Sequence, residues 1–286
     1  MQDAPRDPLA NVIAGVSIGA LLKQSPLDAL ETRILICHAL GLTRVQLITR
    51  SERTLTAPEA ERLAALFGRR LRGEPIAYIT GEREFYGIAF EVTPAVLIPR
   101  PETELLVELS LERLPPNGRL LDLGTGSGAI AIAVAHARPD ANVVALDASD
   151  AALEVARRNA TRHGTQVQFV KSDWYAALED TRFDLIAANP PYIEKDDPHL
   201  SQGDLRFEPR TALTDHGDGL SALRSIVIGA TARLTSGGWL LMEHGYDQAA
   251  AVRALLTDQG FDQVQSWRDL AGIERVSGGT SARGCC

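Results

Sequence analysis

From residue 119 onward the chain alternates short apolar runs with stretches of helical spacing, and this alternation constrains the fold more than any other feature. Leu120-Leu121-Asp122-Leu123, 142–147, 167–170 and 183–188 read as strands. Helices are expected at 129–137, 150–163, 219–234 and 247–259, with a further strand at 239–243. Strands joined through helices run parallel, because only a long crossover returns the chain to the same end of the sheet. The expected architecture is α/β: an open, mostly parallel, doubly wound sheet. Segments near 261–268 and 273–277 follow each other without a helix, which predicts an antiparallel hairpin at one edge.

Upstream the pattern is different. Residues 8–80 read as helical. Ser25-Pro26 supplies an N-cap and a proline at the first helical position, and Gly41 ends that helix. Thr56 and Glu59 form a capping-box pair before the stripe Leu63, Leu66, Phe67 and Leu71. By default such stripes are core, and recognition by the outer face is the secondary reading. Segments within 78–99 suggest a β-hairpin turning at Gly87, followed by a helix from Glu102 to about Leu114. The expected organisation is a helical N-terminal domain at 1–77, a hairpin linker at 78–100 and a catalytic domain at 101–286.

Composition removes several function classes. A chain of 286 residues with 45% hydrophobic residues can bury a core without disulfides or metals. The net charge is −8, which argues against tight nonspecific binding to a phosphate backbone. No apolar run approaches the roughly 18 residues that span a bilayer, and the first residues do not read as a signal peptide. Three cysteines, Cys37, Cys285 and Cys286, show no framework spacing, as in a reducing cytoplasm. Cys37 is expected as a buried core thiol, and Cys285-Cys286 as part of a frayed tail rather than a lipid acceptor. The six histidines show no metal-ligand spacing, so no metal is expected.

Two segments carry chemistry. The first strand runs directly into Asp122-Leu123-Gly124-Thr125-Gly126-Ser127-Gly128, and a helix follows at once. Glycines there permit a sharp turn and close approach of a ligand to the backbone. The second strand ends in Asp147, whose carboxylate can accept both hydroxyls of a ribose. Loop and carboxylate together point to adenosine binding, against the plainer alternative of a tight turn and a solvated Asp. No Gly-Lys-Ser/Thr follows, so this is not a Walker A loop. The third strand ends in Asp173-Trp174, and Trp174 can either cover an adenine ring or pack in the core.

The fourth strand ends in Asn189-Pro190-Pro191-Tyr192, the most informative tetrapeptide in the chain. Asn189 offers an amide oxygen, Pro190 a carbonyl and Tyr192 a flat aromatic face. Two acceptors and a ring suit a planar –NH2 group. Its lone pair is delocalised, and holding both N–H bonds would turn that lone pair toward an electrophile.

The loop, Asp147 and the tetrapeptide resemble class I S-adenosylmethionine-dependent methyltransferases acting on planar nitrogen. Gly81-Glu82-Arg83-Glu84-Phe85-Tyr86-Gly87, Leu97-Ile98-Pro99-Arg100-Pro101-Glu102-Thr103-Glu104, Phe207-Glu208-Pro209-Arg210, Gly217-Asp218-Gly219-Leu220 and Glu243-His244-Gly245 narrow this. Over nearly its whole length the chain resembles the peptide chain release factor N5-glutamine methyltransferases, the HemK/PrmC family. The resemblance implies a Rossmann-like, mostly parallel seven-stranded sheet with a small helical substrate-recognition domain. It implies methylation of the glutamine in the Gly-Gly-Gln motif of class I release factors, with S-adenosyl-L-methionine converted to S-adenosyl-L-homocysteine. It further implies that Gly124, Thr125, Gly126, Ser127, Gly128, Asp147, Trp174 and Asn189 contact the cofactor. Asn189, Pro190, Pro191 and Tyr192 would bind the glutamine, with Asn189, Pro190 and Tyr192 catalytic. A cytoplasmic monomer with no membrane or direct nucleic-acid partner is expected.

Competing readings share parts of this pattern. A ribosomal-protein glutamine methyltransferase or a nucleic-acid exocyclic-amine methyltransferase would use the same tetrapeptide. A NAD-dependent oxidoreductase or a noncatalytic nucleotide-binding module would explain the loop but not Asn189-Pro190-Pro191-Tyr192. Arg100 reads as an interdomain ion pair or as a contact to cofactor or substrate. His244 reads as packing or as support for the site. The acidic run Glu194, Asp196 and Asp197 reads as a solvated loop or as a docking surface for basic side chains.

Overall fold

The computed structural model describes residues 9–282, so Cys285 and Cys286 lie outside the described residues. The chain divides into two compact units between Gly81 and Glu82.

The first unit is helical: α1 (Ile18–Gln24), α2 (Ala29–Leu40), α3 (Arg44–Thr49), α4 (Ala57–Leu71) and α5 (Ile76–Thr80). Ile18, Leu21, Leu35, Ile36, Leu63 and Phe67 are fully enclosed in its core. The α4 capping box forms as the Thr56/Glu59 pattern predicts. Helix α2 begins later than Ser25-Pro26 suggests. Asp28 caps it by accepting from the Leu30 N–H, while the Ser25 hydroxyl accepts from Thr32 and the Leu27 N–H. Cys37 is half-buried rather than core. It lies off the buried α2 face of Thr32, Leu35, Ile36 and Ala39, and it lines a cavity of about 820 Å³. Residues 78–80, expected in a strand, are helical. Pro75 starts that turn and Gly81 ends it in the left-handed conformation, so the punctuation overrides the strand preference of Tyr78 and Ile79.

The second unit opens with the hairpin β1 (Glu82–Phe85) and β2 (Ile88–Glu91), whose turn residues Tyr86 and Gly87 both have positive φ. A 3-10 turn at Pro101–Thr103 leads into α6 (Glu104–Arg113). Then come β3 (Arg119–Leu123), α7 (Ala129–Ala137), β4 (Asn142–Asp147), α8 (Asp150–His163), β5 (Val167–Lys171) and β6 (Phe183–Ala188). Short helical turns including α9 (Arg210–Leu213) precede α10 (Ser221–Arg233), β7 (Leu234–Glu243), α11 (Ala249–Asp258), β8 (Asp262–Arg268) and β9 (Glu274–Thr280).

The seven-stranded sheet has the order β5-β4-β3-β6-β7-β9-β8. Its first five strands are parallel, and β9 is antiparallel to both β7 and β8. Alternate residues serve the two faces. Leu120, Leu185 and Leu241 pack with α6 and α7, whereas Leu121, Ile186 and Leu240 pack with α10 and α11. Both faces are covered, so the central strands read as continuous apolar runs.

One side chain joins three of these pieces. Asn159 on α8 is fully buried. Its Oδ1 accepts from the Glu91 N–H at 2.7 Å, and its Nδ2 donates to the Glu91 and Ser127 carbonyls at 3.0 and 2.9 Å. It therefore ties the hairpin to the glycine loop. Asn159→Ala leaves those groups buried without partners, which should cost about 3 kcal/mol and lower Tm by roughly 6–12 °C in thermal unfolding. A shift under 2 °C (roughly 0.5–1 kcal/mol) would show that water or backbone movement replaces these bonds.

Candidate active site

The carboxyl ends of β3, β4, β5 and β6 meet at one crevice, as expected at a switch point where strand order reverses. The loop after β3 is held there by the end of β4. Gly124 and Thr125 both donate their N–H to the Leu146 carbonyl at 2.9 Å, and the Gly126 N–H donates to Asp147 Oδ2 at 2.9 Å. Gly124 and Gly126 have φ of +72° and +54°, so the loop bends where side chains are disfavoured and leaves its backbone open. Asp147 Oδ1 accepts from the Ser149 N–H at 2.9 Å. Burial raises the Asp147 pKa, opposed by hydrogen bonds from the Ser149, Gly126 and Ala148 backbone.

Around this loop lies a cavity of about 510 Å³, a common size for a small-molecule site. Gly124, Gly126, Asp147, Trp174, Asn189 and Pro191 all line it. Thr125, Ser127 and Gly128 do not. Thr125 turns its hydroxyl to Asp122 at 2.6 Å, and the Ser127 carbonyl is taken by Asn159. Gly128 begins α7 so tightly that a Cβ would lie 2.6 Å from Ile132. Trp174 is half-buried, with φ +44°, and both faces the cavity and packs on the core below.

A second, smaller cavity of about 60 Å³ adjoins the same tetrapeptide. Arg100, Asn189, Pro190, Tyr192, Leu205 and Leu213 are among its walls. Asn189 is therefore common to both spaces. Its Nδ2 donates to Thr103 Oγ1 at 3.1 Å, which leaves Oδ1 as an acceptor. The Tyr192 hydroxyl donates to Glu243 Oε1 at 3.3 Å, and burial keeps that phenol protonated. Arg100 pairs with Glu208, which also accepts from the Ile98 N–H at 3.0 Å. That pair lies within the second unit and is not an interdomain bridge. His244 is fully buried, placed between the Gly245 carbonyl and the Ser277 hydroxyl. Among the described residues, no group of three His, Cys, Asp or Glu side chains is placed to hold a metal.

Residues 17–81 match the family model described as PrmC N-terminal domain, and residues 101–208 match the methyltransferase small domain. The chain is 59% identical over 268 residues to a release factor glutamine methyltransferase of Burkholderia pseudomallei, covering 91% of this chain and 94% of that protein. The chain belongs to the release factor glutamine methyltransferase family. A second member, from Neisseria gonorrhoeae, is 54% identical over 88% of this chain and 93% of its own length. Among solved structures, a methyltransferase from Pyrococcus furiosus shares the fold, with a TM-score of 0.54 and 19% identity over 75% of this chain and 97% of that one.

Asp122, Thr103 and Glu243 are buried polar residues beside these elements to which no sequence motif assigns a role. Asp122 is detectable as a lone acid in an apolar strand. It is fully buried, its Oδ2 accepts from Thr125 and the Ala131 N–H, and its Oδ1 has no partner. Burial pushes its pKa up to about 7 from 3.8. A raised carboxyl pKa favours folding fully below the unfolded value, and that advantage is lost as pH rises toward the folded value. Asp122→Asn removes this titration. In urea unfolding, the variant's stability relative to the parent should improve by roughly 2–3 kcal/mol between pH 5 and pH 8. A pH-independent difference would mean Asp122 titrates normally.

Proposed function

We propose that this methyltransferase transfers a methyl group from S-adenosyl-L-methionine to the side-chain amide nitrogen of the glutamine in the Gly-Gly-Gln motif of class I peptide chain release factors. The observation that carries the reading is Asn189, which lines both the nucleoside-sized cavity and the small one beside Pro190 and Tyr192. The names of the closely similar relatives supply the acceptor class.

Asp147 would accept the ribose hydroxyls, and Trp174 would cover the adenine. When bound, S-adenosylmethionine supplies a methyl group already activated on a sulfonium. The protein's task is then alignment and charge stabilisation. Asn189 Oδ1 and the Pro190 carbonyl accept the two amide N–H bonds of the glutamine. That grip turns the nitrogen lone pair out of conjugation and strengthens as the nitrogen becomes cationic. Tyr192 gives the amide a flat wall, and the small cavity excludes water around it. No side chain need take a proton before attack, because the methylated amide cation is strongly acidic and releases its proton afterwards.

In the helical unit, Leu22, Leu30, Ile34, Leu47 and Ile48 line the cavity of about 820 Å³ together with Lys23, Arg33 and Arg44 and no acidic side chain. That face is the one we assign to docking of the release factor. Ile48→Glu should raise the release factor KM about tenfold and leave kcat and S-adenosylhomocysteine affinity unchanged. An unchanged KM would remove this face from recognition.

The deciding experiment is transfer of labelled methyl from S-adenosylmethionine to purified release factor, beside a variant with Gly-Gly-Ala. Label dependent on the glutamine supports the reaction and the acceptor. Label on neither, with S-adenosylhomocysteine still bound, moves the acceptor to a ribosomal protein or nucleic acid. Asn189→Ala should lower kcat by about 100-fold or more with cofactor affinity within a few-fold. Near-normal turnover would end the proposed role of the tetrapeptide.

A further inference from the structure

A buried polar chain runs behind the tetrapeptide. Asn189 Nδ2 donates to Thr103 Oγ1, and the Tyr192 hydroxyl donates to Glu243 Oε1. Thr103 and Glu243 are 3% and 1% exposed, and neither lines the two cavities. Glu243 Oε2 is buried without a hydrogen-bond partner, and the Thr103 hydroxyl favours the ionised form of this carboxyl. Two observed links, Asn189 to Thr103 and Tyr192 to Glu243, thus end on buried groups, and the orphaned Glu243 Oε2 is the acceptor left for the Thr103 proton.

The donor sense of such a chain is set by the acid. A hydroxyl has one proton, and a carboxylate can only accept. With Glu243 ionised, Tyr192 turns its proton toward Oε1, and Oε2 is the acceptor toward which Thr103 would turn its own. Thr103 then meets Asn189 with a lone pair, so Asn189 must present its NH2 there and keep Oδ1 free. A protonated Glu243 is itself a donor. It releases the Thr103 proton to turn toward Asn189 and compete for Oδ1.

We propose that Thr103 and Glu243 are positioning residues for methyl transfer, fixing the sense of the Asn189 amide and the place of Tyr192 without touching either reactant. This rests on the glutamine-methylating reading of the same site. The groups acting on Glu243 are the Thr103 and Tyr192 hydroxyls, Glu102 on the 3-10 turn and Arg275 on β9. Burial outweighs the favourable ones and pushes its pKa up to about 7. Because the ionised form sets the productive sense, kcat should rise with pH across a limb near that value.

The test uses the full chain with Thr103→Val, Glu243→Ala and Glu243→Gln. Thr103→Val should lower kcat about tenfold and Glu243→Ala about 100-fold, with release factor KM and S-adenosylhomocysteine Kd within about twofold. Glu243→Gln should retain more activity than Glu243→Ala and lose the limb near pH 7. Unchanged kcat in Thr103→Val, a limb that persists in Glu243→Gln, or equal loss of turnover and cofactor binding each overturns the proposal. If the parent protein methylates no release factor, the functional reading fails separately. Crystal structures of Thr103→Val then decide the positioning role: displaced Asn189 and Tyr192 side chains support it, and unchanged ones overturn it.

Discussion

The end of β4 holds the loop that follows β3, and the rest of the site is arranged around that grip. Two loop amides converge on the Leu146 carbonyl and a third reaches the Asp147 carboxylate. An isolated glycine-rich loop would have many conformations to lose on ligand binding. Here the neighbouring strand fixes it beforehand, using backbone groups that the parallel register brings side by side. The same carboxylate that anchors Gly126 keeps lone pairs for a ligand, so the shape of the loop and the chemistry of the cavity depend on one residue.

That economy has an electrostatic consequence. Asp147 and Glu243 end their strands and Asp122 stands one residue before the end of β3, and burial raises the pKa of each. Unrelieved buried acids destabilise a fold. When ionised, these acids favour positive charge nearby, which accords with the proposed sulfonium cofactor and with an acceptor nitrogen proposed to become cationic during transfer. The neutral alternative, an amide or hydroxyl at each position, would fold more comfortably but offer no such field.

How much of this was legible in the chain follows from the range of each interaction. Strand and helix alternation is local, and the periods of β3 to β6 and α7 to α8 appear directly in the apolar pattern. Helix α5 was hidden because Tyr78 and Ile79 favour strands, while the deciding residues, Pro75 and Gly81, flank them. Strand β7 starts at Leu234, earlier than expected, because its first half contains Gly237 and Gly238 and shifts register against β6 between Phe183 and Leu185. The tetrapeptide was visible because its four residues are contiguous. Thr103 and Glu243 stand in segments that carry the family resemblance, but their pairing with the tetrapeptide was not legible: Thr103 lies 86 residues from Asn189, and Glu243 lies 51 from Tyr192. No spacing rule connects such positions.

The supports also show why a motif of four residues is insufficient as a unit of chemistry. An asparagine side chain has two nearly isosteric ends, one donating and one accepting. The backbone of Asn189-Pro190-Pro191-Tyr192 can place that side chain but cannot choose which end meets the acceptor amide. The choice has to come from a group whose own donor sense is fixed, and a buried carboxylate is such a group because it has no proton to offer. In the proposed arrangement Thr103 would convey that sense to Asn189, while Tyr192 donates to the same acid from the other side. An acid behind the tetrapeptide, rather than in either cavity, would order the hydrogen bonds to the proposed acceptor without itself competing for the amide.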